Sequence, residues 1–273
     1  TISDEDGLSE FSYQWFADDV AITDANDSTL TLSQAEVNKA ITVKVSYIDG
    51  YGTAEELMSS ASGAVINVND LPTGATLTGT AIQGQALTAV ASNILDEDGL
   101  GEFSYKWFTD DVAITNANDS TLTLSQAEVD KAITVKVSYT DGYGTAESVI
   151  LAATSAVTNV NDKPVGNVTI TGAATEDQVL TAVSSLADED GLGTLSYQWK
   201  AGVTNISNAT SSTFKLGQSE VGKEITVGVS YTDSFGTPES VTSAATSAVT
   251  NVNDNPVGNV TITGAATEDQ VLT

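Results

Sequence analysis

The chain of 273 residues contains no cysteine, no histidine and no arginine. The absence of cysteine excludes disulfides, thiol nucleophiles and cysteine-ligated zinc. The absence of histidine removes the usual imidazole base and the commonest transition-metal ligand. Without arginine there is no guanidinium to bind phosphate or carboxylate groups in a bidentate manner. Together these absences exclude most familiar hydrolase chemistry, and we predict that the chain is not an enzyme.

Positive charge is also scarce, because nine basic residues stand against 37 acidic ones and the formal net charge is -28. Nucleic acids and anionic membrane surfaces repel such a chain, since both are bound through basic patches. No apolar run of about 18 residues is present, so no membrane-spanning helix is expected. Hard divalent cations are the expected counter-ions, and solubility in a salty medium is the alternative explanation of the acidity.

The sequence contains an internal repeat. The phrase Asp-Glu-Asp-Gly-Leu begins at Asp4, Asp96 and Asp188, and consecutive copies lie 92 residues apart. A fixed long period predicts small domains copied head to tail. The predicted boundaries are 1–70 for a first repeat without its first two strands, 71–162 and 163–254 for two complete repeats, and 255–273 for two strands of a fourth. The cut ends indicate an excerpt from a longer polypeptide.

The apolar residues of each repeat alternate with period two, which is typical of β-strands. The clearest example is the run Ile225, Val227, Val229 and Tyr231. About seven such segments occur per repeat, with turn signals every 8 to 12 residues or so. This pattern predicts an all-β chain of tandem Greek-key β-sandwiches.

Two resemblances follow from particular residues. Trp199 lies within the third predicted strand, and strands ending in Thr-Leu-Thr-Leu or Val-Ser-Tyr follow the equivalent tryptophans, which resembles the immunoglobulin-like sandwich without its disulfide. The loop 231–238 and the linker Asn-Val-Asn-Asp-Asn-Pro at 251–256 are similar to the cadherin segments that bind calcium between domains. The chain departs from the cadherin pattern because asparagine replaces the first aspartate of the linker.

As a whole, the chain resembles the immunoglobulin-like and cadherin-like extender repeats of large bacterial surface adhesins of the RTX type, although it contains no RTX nonapeptide run. The resemblance implies an extracellular spacer, at the cell surface or secreted, that supports cell adhesion or biofilm formation. It also implies Ca²⁺ as the cofactor and the neighbouring repeats of the same polypeptide as partners. No nucleic acid and no membrane insertion are expected.

In an immunoglobulin-like sandwich, the acidic turn, the loop before the last strand and the preceding linker lie at the same end. Calcium takes six to eight oxygen ligands, which carboxylates and amide carbonyls of this kind supply. We therefore predict calcium at each junction, while an ordinary Asp-Gly turn is the alternative reading of the acidic phrase. The predicted ligands are Asn69, Asp70, Asp96, Asp98 and Asp141 at one junction, and Asn161, Asp162, Asp188, Asp190 and Asp233 at the next.

Further candidates lie at the cut ends and on the opposite side of each junction. The half-sites at the ends comprise Asp4, Asp6, Asp49, Asn253 and Asp254. Glu36 and Glu128, in turns at the far end of the preceding repeat, are expected to close the sites from the other side.

Three other functions are alternatives to the spacer. Tyr51, Tyr143 and Phe235 lie in equivalent loops and could stack on an extracellular polysaccharide, or pack against the neighbouring domain. A glycosidase with paired carboxylates is disfavoured, because the same acidic turn recurs in every copy. In the third rival, a self-assembling filament, one chain completes the first repeat of the next by strand donation. The donated residues would be Val260, Ile262, Val271 and Leu272.

Overall fold

A computed structural model describes all 273 residues and contains 18 strands and three single-turn 3-10 helices. The chain divides into two compact units, Thr1–Thr158 and Asn159–Thr273. None of the helices has the length and the apolar character needed to cross a membrane. The prediction of an all-β chain of immunoglobulin-like sandwiches is confirmed, whereas the four domain boundaries remain predictions.

The unit Thr1–Thr158 contains three antiparallel sheets, with strand orders β2-β1-β3-β4, β5-β6-β9 and β11-β10-β7-β8. The second and third of these sheets pack face to face around one apolar core. The strands are β1 (Ser12–Ala17), β2 (Val20–Ala21), β3 (Ile41–Ile48), β4 (Ala54–Met58), β5 (Thr76–Thr78), β6 (Ala86–Val90), β7 (Ser104–Thr109), β8 (Val112–Ala113), β9 (Thr121–Thr123), β10 (Ile133–Thr140) and β11 (Ala146–Leu151).

The unit Asn159–Thr273 contains one complete sandwich built from a three-stranded sheet, β12-β13-β16, and a four-stranded sheet, β15-β14-β17-β18. Its strands are β12 (Val168–Thr171), β13 (Val179–Ser184), β14 (Ser196–Ala201), β15 (Thr204–Asn205), β16 (Thr213–Lys215), β17 (Ile225–Thr232) and β18 (Pro238–Thr242). Residues 255–273 contain no strand, but Thr263 and Thr273 exchange both hydrogen bonds of one antiparallel pair, each 2.9 Å long.

Each complete core is built on the period-two alternation of its central strands. In β17, Ile225, Val227 and Val229 point inward and are fully buried, because successive side chains of a strand face opposite sides of the sheet. Trp199 of β14 packs beside them, fully buried, and its indole N–H donates to the carbonyl of Ser211 at 2.9 Å. The tryptophan is therefore a core residue whose one polar atom has a partner.

The sheet β2-β1-β3-β4 lacks the second layer that covers its counterparts. The segment around Leu32 forms no strand, and Leu32 is 47% exposed, whereas its counterpart Leu124 is 1% exposed. Trp15 is likewise only partly buried. Trp15 and Leu32 are therefore less buried than their counterparts in the complete sandwiches.

A 3-10 turn precedes the longest strand of each repeat and is capped in two of the three copies by a serine. Ser125 donates its hydroxyl to the carboxylate of Glu128 at 2.7 Å, and its hydroxyl oxygen accepts the backbone N–H of Ala127 at 3.2 Å. Gly217 stands at the equivalent position, where it supplies no hydroxyl. The third turn therefore lacks one capping interaction.

We expect Gly217→Ser to raise the free energy of unfolding of the unit Asn159–Thr273 by roughly a few tenths of a kcal/mol. The backbone of Gly217 is extended, and an added Cβ would make only an ordinary contact, 3.6 Å from a carboxylate oxygen of Glu220. Urea denaturation checks this result, with Gly217→Ala as the matched control that adds the Cβ without the hydroxyl. An equal gain from both substitutions would contradict capping as the cause.

Candidate functional site

The linker between the first two repeats is held against the acidic turn of the second. The side-chain amide of Gln34 donates to Asn67 Oδ1 at 3.1 Å and to Asp98 Oδ1 at 2.9 Å. The backbone N–H of Asp70 donates to Asp98 Oδ2 at 2.8 Å. Asp98 is only 3% exposed, so its carboxylate is almost inaccessible to water. It accepts hydrogen bonds from two separate segments of the chain. The structure thus brings together two of the predicted residues, Asp70 and Asp98.

A buried glutamate on β11 completes this contact. The side-chain amide of Asn69 donates to Glu147 Oε1 at 2.7 Å, and Glu147 is buried. In the first repeat the counterpart, Glu55, is exposed. The junction therefore contains a carboxylate that the sequence analysis did not include.

Asp96 has a local role in the acidic turn. Its Oδ1 accepts the backbone N–H of Asp98 at 2.9 Å, and its Oδ2 accepts the hydroxyl of Tyr139. Burial, followed by this hydrogen bond, raises the pKa of Tyr139. In the first repeat the hydrogen bond from Tyr47 to Asp4, 2.8 Å long, is the main cause that raises the pKa of Tyr47 to about 12. The first aspartate of each turn thus binds the turn to the central strand.

Asp141 shapes the loop before the last strand of its sandwich. Its Oδ1 accepts the backbone N–H groups of Tyr143 and Thr145, each at 2.8 Å. Burial raises the pKa of Asp141, but the N–H donors from Thr145 and Tyr143 outweigh it and hold that pKa below its ordinary value. The other oxygen, Oδ2, is buried and accepts no hydrogen bond. This orphaned oxygen is an available ligand atom.

The unit Asn159–Thr273 repeats the arrangement. The backbone N–H of Asp162 donates to Asp190 Oδ2 at 2.6 Å, and the amide of Asn161 donates to Glu239 Oε1 at 2.9 Å. Asp190 Oδ1 and Asp233 Oδ2 are buried without a hydrogen-bond partner. Asp188, like Asp96, accepts a backbone N–H and a tyrosine hydroxyl. The recurrence in a second, separate unit shows that the linker contact is a property of the repeat.

The structure places Glu36 and Glu128 in the capping interactions of their own 3-10 turns. The carboxylate of Glu36 accepts the backbone N–H and the hydroxyl of Ser33 at 2.9 and 2.8 Å. These donors from Ser33, the backbone one first, lower the pKa of Glu36. Glu128 bonds to Ser125 in the same way. The side chain of this turn that reaches the first junction is Gln34.

The half-site residues keep the local geometry of their repeats. Asp4 Oδ1 accepts the backbone N–H of Asp6, and Asp49 Oδ1 accepts those of Tyr51 and Thr53, at distances of 2.7 to 2.9 Å. Asn253 and Asp254 are exposed, and the amide of Asn253 lies 3.5 Å from the carbonyl of Asp254.

The donor set fits a hard cation in its chemistry. Carboxylate and amide oxygens are the ligands that calcium prefers, and several of the buried oxygens lack a hydrogen-bond donor. However, no group of three or more carboxylate side chains is arranged closely enough to form a metal site. The assignment of Asp98, Asp141 and their equivalents as ligands therefore remains a prediction.

Sequence reasoning missed the residues that face the carboxylates across the linker. The side-chain amide of Gln34 donates to Asp98 and to Asn67, and Glu147 accepts a hydrogen bond from Asn69. The period carried a signal for each of them, since glutamine recurs at 34, 126 and 218 and glutamate at 55, 147 and 239. These junction residues could have been identified because the same polar residue recurs at the same position of every repeat.

The loop aromatics differ in exposure. Tyr51 is 84% exposed, whereas Tyr143 and Phe235 are close to half exposed. The backbone N–H groups of Tyr143 and Phe235 are bound by the aspartates of their own loops. The rings are therefore accessible to solvent. Each repeat carries one of them, on its own loop.

No protein-family model and no curated protein matches the chain. Among solved structures, a Ca²⁺-stabilized adhesin with which an Antarctic bacterium binds ice is 12% identical, with 98% of this chain and 71% of that one covered and a TM-score of 0.33. A bacterial ice-binding adhesin, studied for its retention at the host cell surface, is 11% identical over 92% of this chain and 89% of that one, with a TM-score of 0.30. A tetra-tandem repeat from the extending region of a large adhesion protein is 16% identical over 88% and 66%, with a TM-score of 0.29. At these identities the similarity concerns the fold alone.

Proposed function

We propose that this chain is a structural spacer of a long extracellular adhesin, in which calcium bound at the junctions between repeats stiffens the array. The observation that carries the proposal is the anchored linker of the first junction. Two linker residues, Asn69 and Asp70, donate hydrogen bonds to buried carboxylates of the next sandwich, Glu147 and Asp98. A flexible connection between independent domains has no need of such contacts.

Calcium is proposed because the carboxylates at this end of the sandwich are buried, and buried charges destabilise a fold unless they are compensated. Asp98, Asp141 and Glu147 are all buried, and the salt bridges of the chain, Lys44–Glu56 and Lys215–Asp177, involve none of them. Buried carboxylates that lack a counter-charge cost free energy through desolvation and mutual repulsion. A divalent cation, when bound, supplies the missing positive charge and attracts both the linker and the sandwich.

The residues that would hold the cation are those whose oxygens retain free lone pairs. Asp141 Oδ2 has no hydrogen-bond partner, and each oxygen of Asp98 accepts one N–H and can accept a second partner. Glu147 uses one oxygen for Asn69. At the next junction the corresponding residues are Asp190, Asp233 and Glu239, with Asn161 and Asp162 from the linker.

The role follows from the repetition of this junction. In the proposed array, a linker anchored to the sandwich that follows it has less freedom to bend than a free linker. We propose that the spacer presents a terminal binding domain at a distance from the cell, as part of an RTX-type adhesin that supports cell adhesion or biofilm formation. The absence of arginine, cysteine and histidine supports a structural role over a catalytic one.

Calcium titration tests the proposal. We expect millimolar CaCl₂ to raise the melting temperature and the maximum dimension in small-angle X-ray scattering, and EGTA to reverse both. MgCl₂ should have a smaller effect, because magnesium demands a stricter octahedral geometry. Isothermal titration calorimetry of Asp141→Asn and Glu147→Gln should show weaker calcium binding than the unsubstituted chain.

Asp111→Asn is the matched control, since it removes the same charge from an exposed turn whose positive φ of 65° asparagine also adopts. It should leave calcium affinity unchanged. A melting temperature and a maximum dimension that are the same in CaCl₂ and EGTA would refute stiffening by calcium. A spacer that is extended in both conditions would still support the structural role.

A further inference from the structure

The linker between the first two repeats is bonded to the protein on either side of a short exposed stretch. Before this stretch, the backbone N–H of Val65 donates to a carbonyl of the first repeat at 2.9 Å. After it, the side-chain amide of Asn69 donates to Glu147 of the second repeat at 2.7 Å. Between these points Ile66 and Val68 are 85% and 78% exposed. This exposed stretch is therefore the place where the two repeats could bend relative to each other.

Gln34 of the first repeat bonds to the middle of the exposed stretch and to the second repeat at the same time. Its side-chain NH₂ group donates to Asn67 Oδ1 at 3.1 Å and to Asp98 Oδ1 at 2.9 Å. The bond to the linker recurs elsewhere, because Gln218 donates to Asn251 at 3.2 Å over the same separation of 33 residues. One amide thus joins the first repeat, the linker and the second repeat.

The carboxylate of Asp98 requires donors because it is buried without a counter-charge. It is 3% exposed, and neither salt bridge of the chain includes it. A hydrogen bond from an N–H group to an ionised carboxylate is about twice as strong as one between neutral groups. Gln34 donates to Oδ1 and the backbone of Asp70 donates to Oδ2, so each oxygen has a donor. Asp190 Oδ1, at the equivalent position of the third repeat, is buried without a partner.

The capping of the 3-10 turn determines which side chain faces Asp98. The carboxylate of Glu36 accepts the backbone N–H and the hydroxyl of Ser33, so it is directed back into its own turn. A carboxylate in the place of the Gln34 amide would repel Asp98 unless a cation lay between them. Because a neutral donor occupies that place, the contact between the two repeats forms without an ion.

We propose that Gln34 is a positioning residue that fixes the orientation of the first repeat on the second in the absence of any ion. The inference rests on the proposed spacer role, in which the orientation of successive repeats matters, and it is independent of calcium. It adds to that role a junction that stays ordered when calcium is removed.

Distances between two spin labels test the proposal on the 273-residue chain. Because the chain contains no cysteine, Val20→Cys and Val112→Cys create one labelling site on each repeat, at valines that are 70% and 67% exposed. In EGTA, pulsed electron paramagnetic resonance of this labelled protein should give a narrow distance distribution. Adding Gln34→Ala should broaden the distribution roughly twofold, because residues 66–68 then bend freely.

Three further variants separate hydrogen-bond donation from packing. Gln34→Glu keeps the shape of the side chain but only accepts hydrogen bonds, and it should broaden the distribution at least as much as Gln34→Ala. Gln34→Lys retains N–H donors and adds a counter-charge for Asp98, so the distribution should stay narrow. Gln218→Ala is the matched control, since it removes the equivalent amide outside this junction and should change nothing.

A narrow distribution for Gln34→Ala in EGTA would overturn the proposal, and so would a broad one for Gln34→Lys. A loss of the β-sheet circular dichroism in Gln34→Ala would also overturn it, because Gln34 would then maintain the fold of the repeat and not its orientation. CaCl₂ tests the proposed function separately. If CaCl₂ narrows the distribution of Gln34→Ala, calcium stiffening and the role of Gln34 are both supported. If the distribution stays broad, calcium stiffening of this junction fails and the role of Gln34 stands.

Discussion

Trp199→Ala is expected to lower the free energy of unfolding of the unit Asn159–Thr273 by about 3–5 kcal/mol. The indole is fully buried against Ile225, Val227 and Val229, so its removal leaves a large cavity. It also leaves the carbonyl of Ser211 without the indole N–H, which donates to it at 2.9 Å. Urea denaturation, followed by the far-ultraviolet circular dichroism of the sandwich, measures this loss.

The repeat supplies a matched control for that substitution. Trp15 has the same position in the first repeat and the same kind of bond, from its indole N–H to the carbonyl of Asp27 at 2.9 Å. Because Trp15 is only partly buried, Trp15→Ala should cost clearly less than Trp107→Ala or Trp199→Ala. The unfolding of all three tryptophan variants is measured at protein concentrations at which the chain is monomeric. Equal losses at all three positions would show that the first sheet is covered as the others are.

Tyr231→Phe is expected to lower the free energy of unfolding by about 1.5–3 kcal/mol, the usual contribution of a hydrogen bond to a charged group. The hydroxyl of Tyr231 donates to Asp188, and this bond ties the acidic turn to the central strand β17. Tyr197→Phe is the control, because it removes a hydroxyl from a partly buried ring of the same sandwich. Urea denaturation at neutral pH compares the two variants.

The same bond predicts a dependence on alkaline pH. Burial, and then the hydrogen bond to Asp188, raises the pKa of Tyr231 in the folded state above its ordinary value of 10.0. A raised folded-state pKa means that the stabilisation is fully present below about pH 10 and is lost as the pH rises towards the folded-state value. For Tyr47, whose folded-state pKa is about 12, this window lies between about pH 10 and 12.

The free-energy difference between the unsubstituted chain and Tyr231→Phe should therefore shrink as the pH rises above about 10. All other ionisable groups are the same in the two proteins, so their contributions cancel in the comparison. A difference that stays constant from pH 7 to pH 11 would contradict the hydrogen bond from the Tyr231 hydroxyl as the cause of the destabilisation.

Part of the candidate site could be predicted from sequence, because the relevant residues lie in turns whose ends are set by the fold. The immunoglobulin-like topology places the linker beside the acidic turn, and Asp70 and Asp98 are indeed bonded to each other. The sequence did not indicate which hydrogen-bond partner each aspartate has. Asp96 and Asp98 are two residues apart in the same turn, yet one bonds to Tyr139 and the other to the linker.

The roles of Glu36 and Gln34 show the same difficulty. Both lie in the 3-10 turn Gln34–Glu36, and the negative charge of Glu36 favoured it as a predicted calcium ligand. The helical turn directs the carboxylate back to Ser33, while the neighbouring amide extends to Asp98. Side-chain direction within a single 3-10 turn depends on capping geometry, which composition and spacing do not reveal.

The sequence by itself determined the repeat period, the all-β class and the identity of the core residues, because these depend on local alternation and on identity between copies. Only the tertiary structure decided which carboxylates are buried and which of their oxygens lack a hydrogen-bond donor. Those properties depend on groups brought together from distant segments, such as Asn69 and Glu147, 78 residues apart. Burial is a sum over all neighbours in space, and no local pattern specifies that sum.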